Sequence, residues 1–420
     1  MSGSDITINA NYNWKVKFFS FLIPLLPFLD VYELGFAPVS ISEVLLIFFI
    51  LISVSGSLYF SSKNYVVFIV YAFITSLILN IFGDYFSFSD WFFKWIRIGI
   101  YSYTFLCLSK KYIEIGELSE FFTRFGLIES ILQIFQSIAW YVFHYSIILV
   151  VPFLKLHYVI SDYNEYVTHI MEYGGSVWRP SGLFLEPADL ALYGCLALIC
   201  CLFYSEKPKI KIAVIITISV LMSLSSFGII LILIIWLYWV FKVNKNNTVY
   251  KLFSIFIVFS ALIILILNGT IASSVFYRIG TIGQSGSTTG SLRLLRGLAI
   301  FNQLSNFHKI FGVGLGDLDT YLIKFGVTTQ YDTTLKPGNE YMNTMSYILV
   351  NTGLVGFGIY LSFIASIFTK FKAYYKRILI ISWVIICISN SNFLNISYIL
   401  PLVILYGRDD IHSNMLGENK

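Results

Sequence analysis

Arg179 and Glu186 stand seven residues apart in the run Trp178-Arg179-Pro180-Ser181-Gly182-Leu183-Phe184-Leu185-Glu186-Pro187. A guanidinium offers a rigid fork of donors that matches phosphate or carboxylate oxygens, and a neighbouring carboxylate can accept a proton as a general base. The residues between them constrain the chain. Pro180 favours an extended Arg179, Gly182 permits a turn, and Pro187 suits the first turn of a helix, so Glu186 is expected at that helix's N-terminus. The plainer alternative is a capping carboxylate with a structural Arg–Glu pair.

A second basic set follows Tyr277-Arg278-Ile279-Gly280 and a stretch rich in Gly, Ser and Thr up to Gly290. Ser291 reads as the N-cap of a helix running to about Leu304, which places Arg293 and Arg296 on one face at i, i+3 spacing. A helix N-terminus behind a glycine-rich loop is an anion site, and two arginines there can embrace a pyrophosphate; otherwise they snorkel to lipid headgroups. Next come His308 and Phe311-Gly312-Val313-Gly314-Leu315-Gly316-Asp317. No βαβ pattern surrounds these glycines, so a dinucleotide loop is discounted in favour of a compact turn packed beneath the following helix. Gly338-Asn339-Glu340-Tyr341-Met342-Asn343 then enters a long helix whose Gly353, Gly356 and Gly358 allow another helix to approach. Lys94 and Arg97 lie inside an apolar run near one end, where charge is either functional or snorkels.

The elements that must position these residues are membrane spans. The 420 residues are 57% hydrophobic and 12% charged, against roughly 25% charge in soluble domains, so the net charge of +5 is not a nucleic-acid signal. Apolar runs fall near 15–31, 41–59, 64–83, 91–109, 121–150, 188–204, 210–224, 227–241, 251–268, 342–369, 377–390 and 394–407. They make about twelve spans: an all-α polytopic membrane protein in a single domain, 1–420. Runs 210–241 and 377–407 read as hairpins turning at Ser/Gly and Ser/Asn clusters. Lysines recur at every second junction, which places both termini in the cytoplasm. The two long polar segments, 151–187 and 269–341, are then external. Five of the eight arginines (Arg97, Arg179, Arg278, Arg293, Arg296) fall on that side, which suits an external anionic ligand. Cys107, Cys195, Cys200, Cys201 and Cys387 all sit in apolar runs and read as core residues. The polar N-terminus lacks a cleaved-signal pattern, so the first span is expected to act as its own insertion signal.

In this order the motifs resemble the O-antigen polymerases, within the superfamily of O-antigen polymerases and ligases. The matching pieces are R-x-S-G-x-F-x-E-P (Arg179, Ser181, Gly182, Phe184, Glu186, Pro187), R…S-x-R (Arg278, Arg293), F-G-V-G-x-G (Phe311 to Gly316) and N-x₉-G-x-x-G (Asn343, Gly353, Gly356). They cover roughly the second half of the chain; the first half matches only in hydropathy. Ligases of the superfamily typically show His-Asn where this chain has Met342-Asn343, which favours polymerase.

The resemblance implies a C-type glycosyltransferase architecture in the bacterial inner membrane. Its activity would move the growing glycan from undecaprenyl pyrophosphate to the terminal sugar of a fresh lipid-linked repeat unit at the periplasmic face. Arg179, Arg278, Arg293 and Arg296 would stabilise the leaving pyrophosphate, Glu186 is the first candidate base and Glu340 the second, and Asn343, His308 and Trp178 are acceptor-side or loop candidates. Trp178, Tyr163, Tyr166, Tyr173, Tyr331 and Tyr341 either stack on sugars or form interfacial belts. No metal or other cofactor is expected. Lipid-linked repeat units and membrane lipid are the partners implied, a chain-length regulator is left open, and nucleic acid is not expected. The alternatives are an O-antigen ligase or other lipid-linked glycan transferase, or a transporter or flippase. The last would carry broken helices and polar midplane residues, which here reduce to Glu129, Gln133 and Gln136.

Overall fold

The computed structural model describes residues 3–35, 38–53, 60–156, 166–167, 178–205, 208–242, 289–333 and 335–409. Outside them lie the apolar run 251–268, Arg278, the glycine-rich stretch 280–288, His157, His169, Tyr163 and Tyr173. The principal helices are α1 (Gly3–Leu29), α2 (Ile41–Ser53), α3 (Lys63–Phe82), α4 (Phe88–Tyr103), α5 (Ile115–Phe143), α6 (Pro187–Ile199), α7 (Ile210–Met222), α8 (Ser226–Lys242), α9 (Gly297–Gln303), α10 (Asn306–Phe311), α11 (Leu318–Lys324), α12 (Thr344–Lys370), α13 (Tyr374–Ser389) and α14 (Ile396–Tyr406). The expected hairpins 210–241 and 377–407 each resolve into two helices.

Among the described residues four stretches, Lys63–Phe82, Ile115–Phe143, Pro187–Tyr204 and Thr344–Lys370, are long and apolar enough to cross a membrane, with α2, α7, α8 and α14 shorter and also apolar. The chain is thus a predominantly helical membrane protein. α3 leaves Val67, Val70, Ile74, Leu77, Ile78 and Ile81 exposed, spaced three and four apart as a lipid-facing stripe requires.

The expected run 121–150 is corrected at both ends: the helix starts at Ile115 and stops at Phe143. Its stop is set by His144, which is left-handed at φ 54°; the next N–H groups, of His144 and Tyr145, close onto Trp140 and Ala139. The all-helical expectation also misses a two-residue antiparallel pairing of Tyr32–Glu33 with Lys155–Leu156, tied by a 3.0 Å Lys155–Glu33 ion pair.

The chain divides into two compact units, one of residues 1–57, 103–263 and 399–420, the other of 58–102 and 264–398. In the first, small residues set the helix crossings: a Cβ on Gly126 would meet Ala197 at 2.4 Å, and one on Gly194 would meet Val220 at 2.5 Å. Tyr193 donates a 2.9 Å hydrogen bond to the Pro24 carbonyl inside α1, which also carries Pro27. Cys195, Cys200 and Cys201 are buried there as free thiols. In the second unit, α12 packs against α3, α10, α9 and α13, and Trp383 seals the core with a 3.1 Å bond to the Tyr398 carbonyl.

Candidate functional site

In the first unit the Trp178–Pro187 motif is fastened to α5. Trp178 is buried with its ring 5.4 Å from that of Trp140, and its carbonyl accepts a 2.9 Å hydrogen bond from Tyr141. Ser181 Oγ donates to the Phe184 carbonyl at 2.7 Å. The turn itself sits on two buried side chains: Gly182 N–H donates to Gln136 Oε1 at 2.8 Å and Leu183 N–H to Glu129 Oε1 at 2.9 Å. Gly182 is at φ +65°, and a Cβ there would fall 1.7 Å from Glu129 Oε1, so the position demands glycine both for its backbone and for its neighbour. Pro187 opens α6, with Glu186 extended at the N-cap; its side chain makes no capping hydrogen bond and is exposed, whereas Arg179 is partly exposed.

The role of Glu129 is open to a double-mutant cycle. Gly182→Ala, Glu129→Ala and the double variant are expected to be non-additive in melting stability by about 1–3 kcal/mol, because removing the carboxylate removes the steric conflict. Additive losses would show that the turn does not seat on Glu129.

In the second unit, the expected cap at Ser291 is corrected. Ser291 has helical φ/ψ of −65° and −42° and is wholly buried, so helix precedes it, and residues Leu292–Arg296 form a π-helical turn before α9. A π-turn widens the helix by a residue, and the two arginines enter different surroundings. Arg296 is 3% exposed; its Nε bonds Asp332, Nη1 donates to the Tyr341 carbonyl at 3.0 Å and Nη2 to the Asn339 carbonyl at 2.7 Å. It clamps the 332–341 segment. Arg293 stays partly exposed, with Nε on the Tyr341 hydroxyl, Nη1 2.6 Å from Asn390 Oδ1 and its guanidinium 5.5 Å from the Tyr341 ring centre.

Asn343 caps α12, accepting from Ser346 N–H at 2.8 Å, while its own amide donates to the Arg293 carbonyl at 2.6 Å. Met342 is fully buried. His308 lies within α10 with Nδ1 2.9 Å from the Gly312 carbonyl and its ring against Tyr321.

Glu340 lies between the two residues that hold the arginines. Its Oε1 accepts from Lys94 Nζ at 3.0 Å and from Asp319 N–H at 3.1 Å; Lys94 also reaches Asp319 Oδ1 at 3.3 Å and the Gly316 carbonyl at 3.1 Å. Burial raises the Glu340 pKa above the ordinary carboxylate range, and Lys94 works against that shift. Asp317 is fully buried; burial first, opposed by Lys94 and reinforced by Asp319, pushes it up to about 7.

The glycine motif before Asp317 is a backbone splice. α12 breaks at Gly353, φ +66°, and the segment docks there by Val313 N–H to the Val350 carbonyl at 3.1 Å and Gly314 N–H to the Asn351 carbonyl at 3.0 Å. Its Leu315 carbonyl then accepts from Ser76 Oγ and Trp95 Nε1, both at 2.9 Å. The turn therefore packs on α12 and delivers Asp317 and Asp319 to Lys94. Of the three helix glycines, Gly353 and Gly356 meet neighbours, whereas Gly358 faces open space.

Asp332, Asn390, Asp319 and Gln136 were not singled out as site residues by sequence. For Glu129 and Gln136 the signal was present, since polar side chains spaced seven apart in an apolar run are costly unless used. Among the described residues no group of three or more His, Cys, Asp or Glu side chains is arranged to hold a metal. Set against known proteins, the chain matches no family model, no curated protein and no solved structure.

Proposed function

We propose that this chain is a glycosyltransferase of the O-antigen polymerase type, which moves a growing glycan from undecaprenyl pyrophosphate onto the terminal sugar of a lipid-linked repeat unit. The observation that carries the reading is the segment Asn339-Glu340-Tyr341: its outer residues hold Arg293 and Arg296 while its middle residue presents a carboxylate. A guanidinium for a leaving phosphate and a base for an attacking hydroxyl are the two groups the transfer needs. The motif order around them supports it.

In the reaction, the sugar's anomeric carbon bonds to the acceptor oxygen as its bond to pyrophosphate breaks. The acceptor proton passes to a carboxylate, and the pyrophosphate keeps the electron pair. Arg293 takes the anion in the second unit, and Arg179 and Arg278 stay candidates from the motif order alone. Arg296 instead holds the 332–341 segment in place. Glu340 is the favoured base and Glu186 the other candidate. About twelve spans, both termini in the cytoplasm and a periplasmic site in a bacterial inner membrane complete the reading.

A second reading, a carrier for lipid-linked sugar, is favoured by the break in α12 at Gly353 and by the buried Glu129 Oε2 and Gln133 Oε1, which lack hydrogen-bond partners among the described residues. Purified protein in micelles, given lipid-linked repeat units and no ion gradient, separates the two. Lengthened glycans are expected; unchanged single units would reject the polymerase, because transport cannot produce longer chains.

A further inference from the structure

Among the described residues, Glu340 interacts with Lys94 on α4, Asp319 at the start of α11 and Tyr347 on α12, and Tyr347 in turn with Asp317 and Arg97. Lys94 is the hub of this set. Its ammonium reaches two carboxylates and the Gly316 carbonyl within 3.3 Å, and its side chain is 16% exposed. A snorkelling lysine would extend its ammonium into water or headgroups; this one is turned into the protein.

Resting on the glycosyl-transfer reading above, we propose that Lys94 is a positioning residue, which binds Asp319 and Glu340 together and so holds the Glu340 carboxylate as the base for the acceptor hydroxyl. Both bonds to Glu340 fall on Oε1, so Oε2 takes the proton as the hydroxyl oxygen bonds to the anomeric carbon and the pyrophosphate departs. Tyr341, the next residue, keeps Arg293 on the same segment, which couples base and anion site through one stretch of backbone. Asp319 competes with Glu340 for the same cation. The balance between the two carboxylates therefore sets how readily Glu340 ionises.

The test is transfer by the purified full chain on lipid-linked repeat units, with kcat and KM measured across pH for wild type, Lys94→Met, Lys94→Arg and Asp319→Asn. Lys94→Met removes the cation that favours the ionised carboxylate. Its kcat is expected to fall about 100-fold with KM changed by less than about threefold, and the acid limb of the kcat profile to move to higher pH. Lys94→Arg should keep the limb near its wild-type position. Asp319→Asn keeps the backbone donor but removes the competing charge, so its limb should move to lower pH, opposite to Lys94→Met. A merely structural cluster would lower activity without moving the two limbs in opposite directions. Unmoved limbs, or limbs moving the same way, overturn the proposal. If Lys94→Met does not fold, the Asp319→Asn shift decides alone. Wild-type protein with no transfer at all would remove the polymerase reading and the base role with it, an outcome distinct from active enzyme indifferent to Lys94.

Discussion

Arg293→Lys is expected to reduce chain extension by about 100-fold or more while leaving the melting behaviour of the purified protein close to wild type. Removing one preorganised donor from a site of developing negative charge costs about 10²–10³ in rate, and lysine cannot reproduce a planar fork. Arg293 uses that fork already: one nitrogen is held by the Tyr341 hydroxyl and another by Asn390, so the guanidinium plane is fixed before any anion arrives. A lysine would satisfy one of these partners at a time. Arg296→Lys gives the contrasting result, because that guanidinium is buried and spends its donors on Asp332 and two carbonyls. A lysine keeps the charge but cannot serve the carboxylate and both carbonyls from one nitrogen, so the loss should appear first in folded yield. Measuring rate and melting midpoint for both variants separates the roles. Normal extension by a folded Arg293→Lys protein would reject the anion-site assignment.

Features written in local backbone chemistry were legible in the sequence. Pro187 opens α6 and Gly182 turns at positive φ because proline and glycine constrain φ wherever they stand, and the helix breaks near Ser225 and between Ser389 and Ile396 fall at the polar clusters read as turns. What escaped was the non-local part. Hydropathy cannot see the left-handed His144 that stops α5, nor that residues 32–33 pair with 155–156 across more than a hundred positions. The pairing of Arg293 with Arg296 on one face assumed 3.6 residues per turn, and the π-turn at Leu292–Arg296 breaks that periodicity. Glu129 and Gln136 were visible as polar residues in an apolar run, but their partners, the N–H groups of residues 182 and 183, are main-chain atoms that no side-chain pattern announces.

The motif F-G-V-G-x-G leads to the other large effect, since its glycines are demanded by backbone rather than by a ligand. At the break in α12, Gly353 is left-handed, and a Cβ there would lie 2.3 Å from the Ile310 carbonyl oxygen and 2.4 Å from Gly312 N. On the facing strand of the splice, a Cβ on Gly312 would lie 2.1 Å from the Asn351 carbonyl oxygen, at φ +86°. Left-handed backbone alone costs an L-residue about 1–2 kcal/mol, and here the obstructing atoms are main chain, which cannot rotate aside. Gly353→Ala and Gly312→Ala should therefore each cost more than about 4 kcal/mol, the range reserved for a broken structural feature, and should largely abolish monodisperse protein in detergent. Gly358→Ala supplies the opposite expectation within the same helix. Nothing lies within 4 Å of its added Cβ, so it should be neutral or stabilise by about 0.4–1 kcal/mol. Size-exclusion profiles and melting midpoints of the three variants decide the matter; Gly353→Ala behaving like Gly358→Ala would show that the two backbones do not meet as described. The consequence reaches the chemistry, because the same segment presents the Leu315 carbonyl to Trp95 and Ser76 and the Gly316 carbonyl to Lys94. Loosening the splice would release Lys94 from one of its three partners and shift Asp319 relative to Glu340, so any folded fraction of Gly353→Ala should retain substrate binding better than turnover.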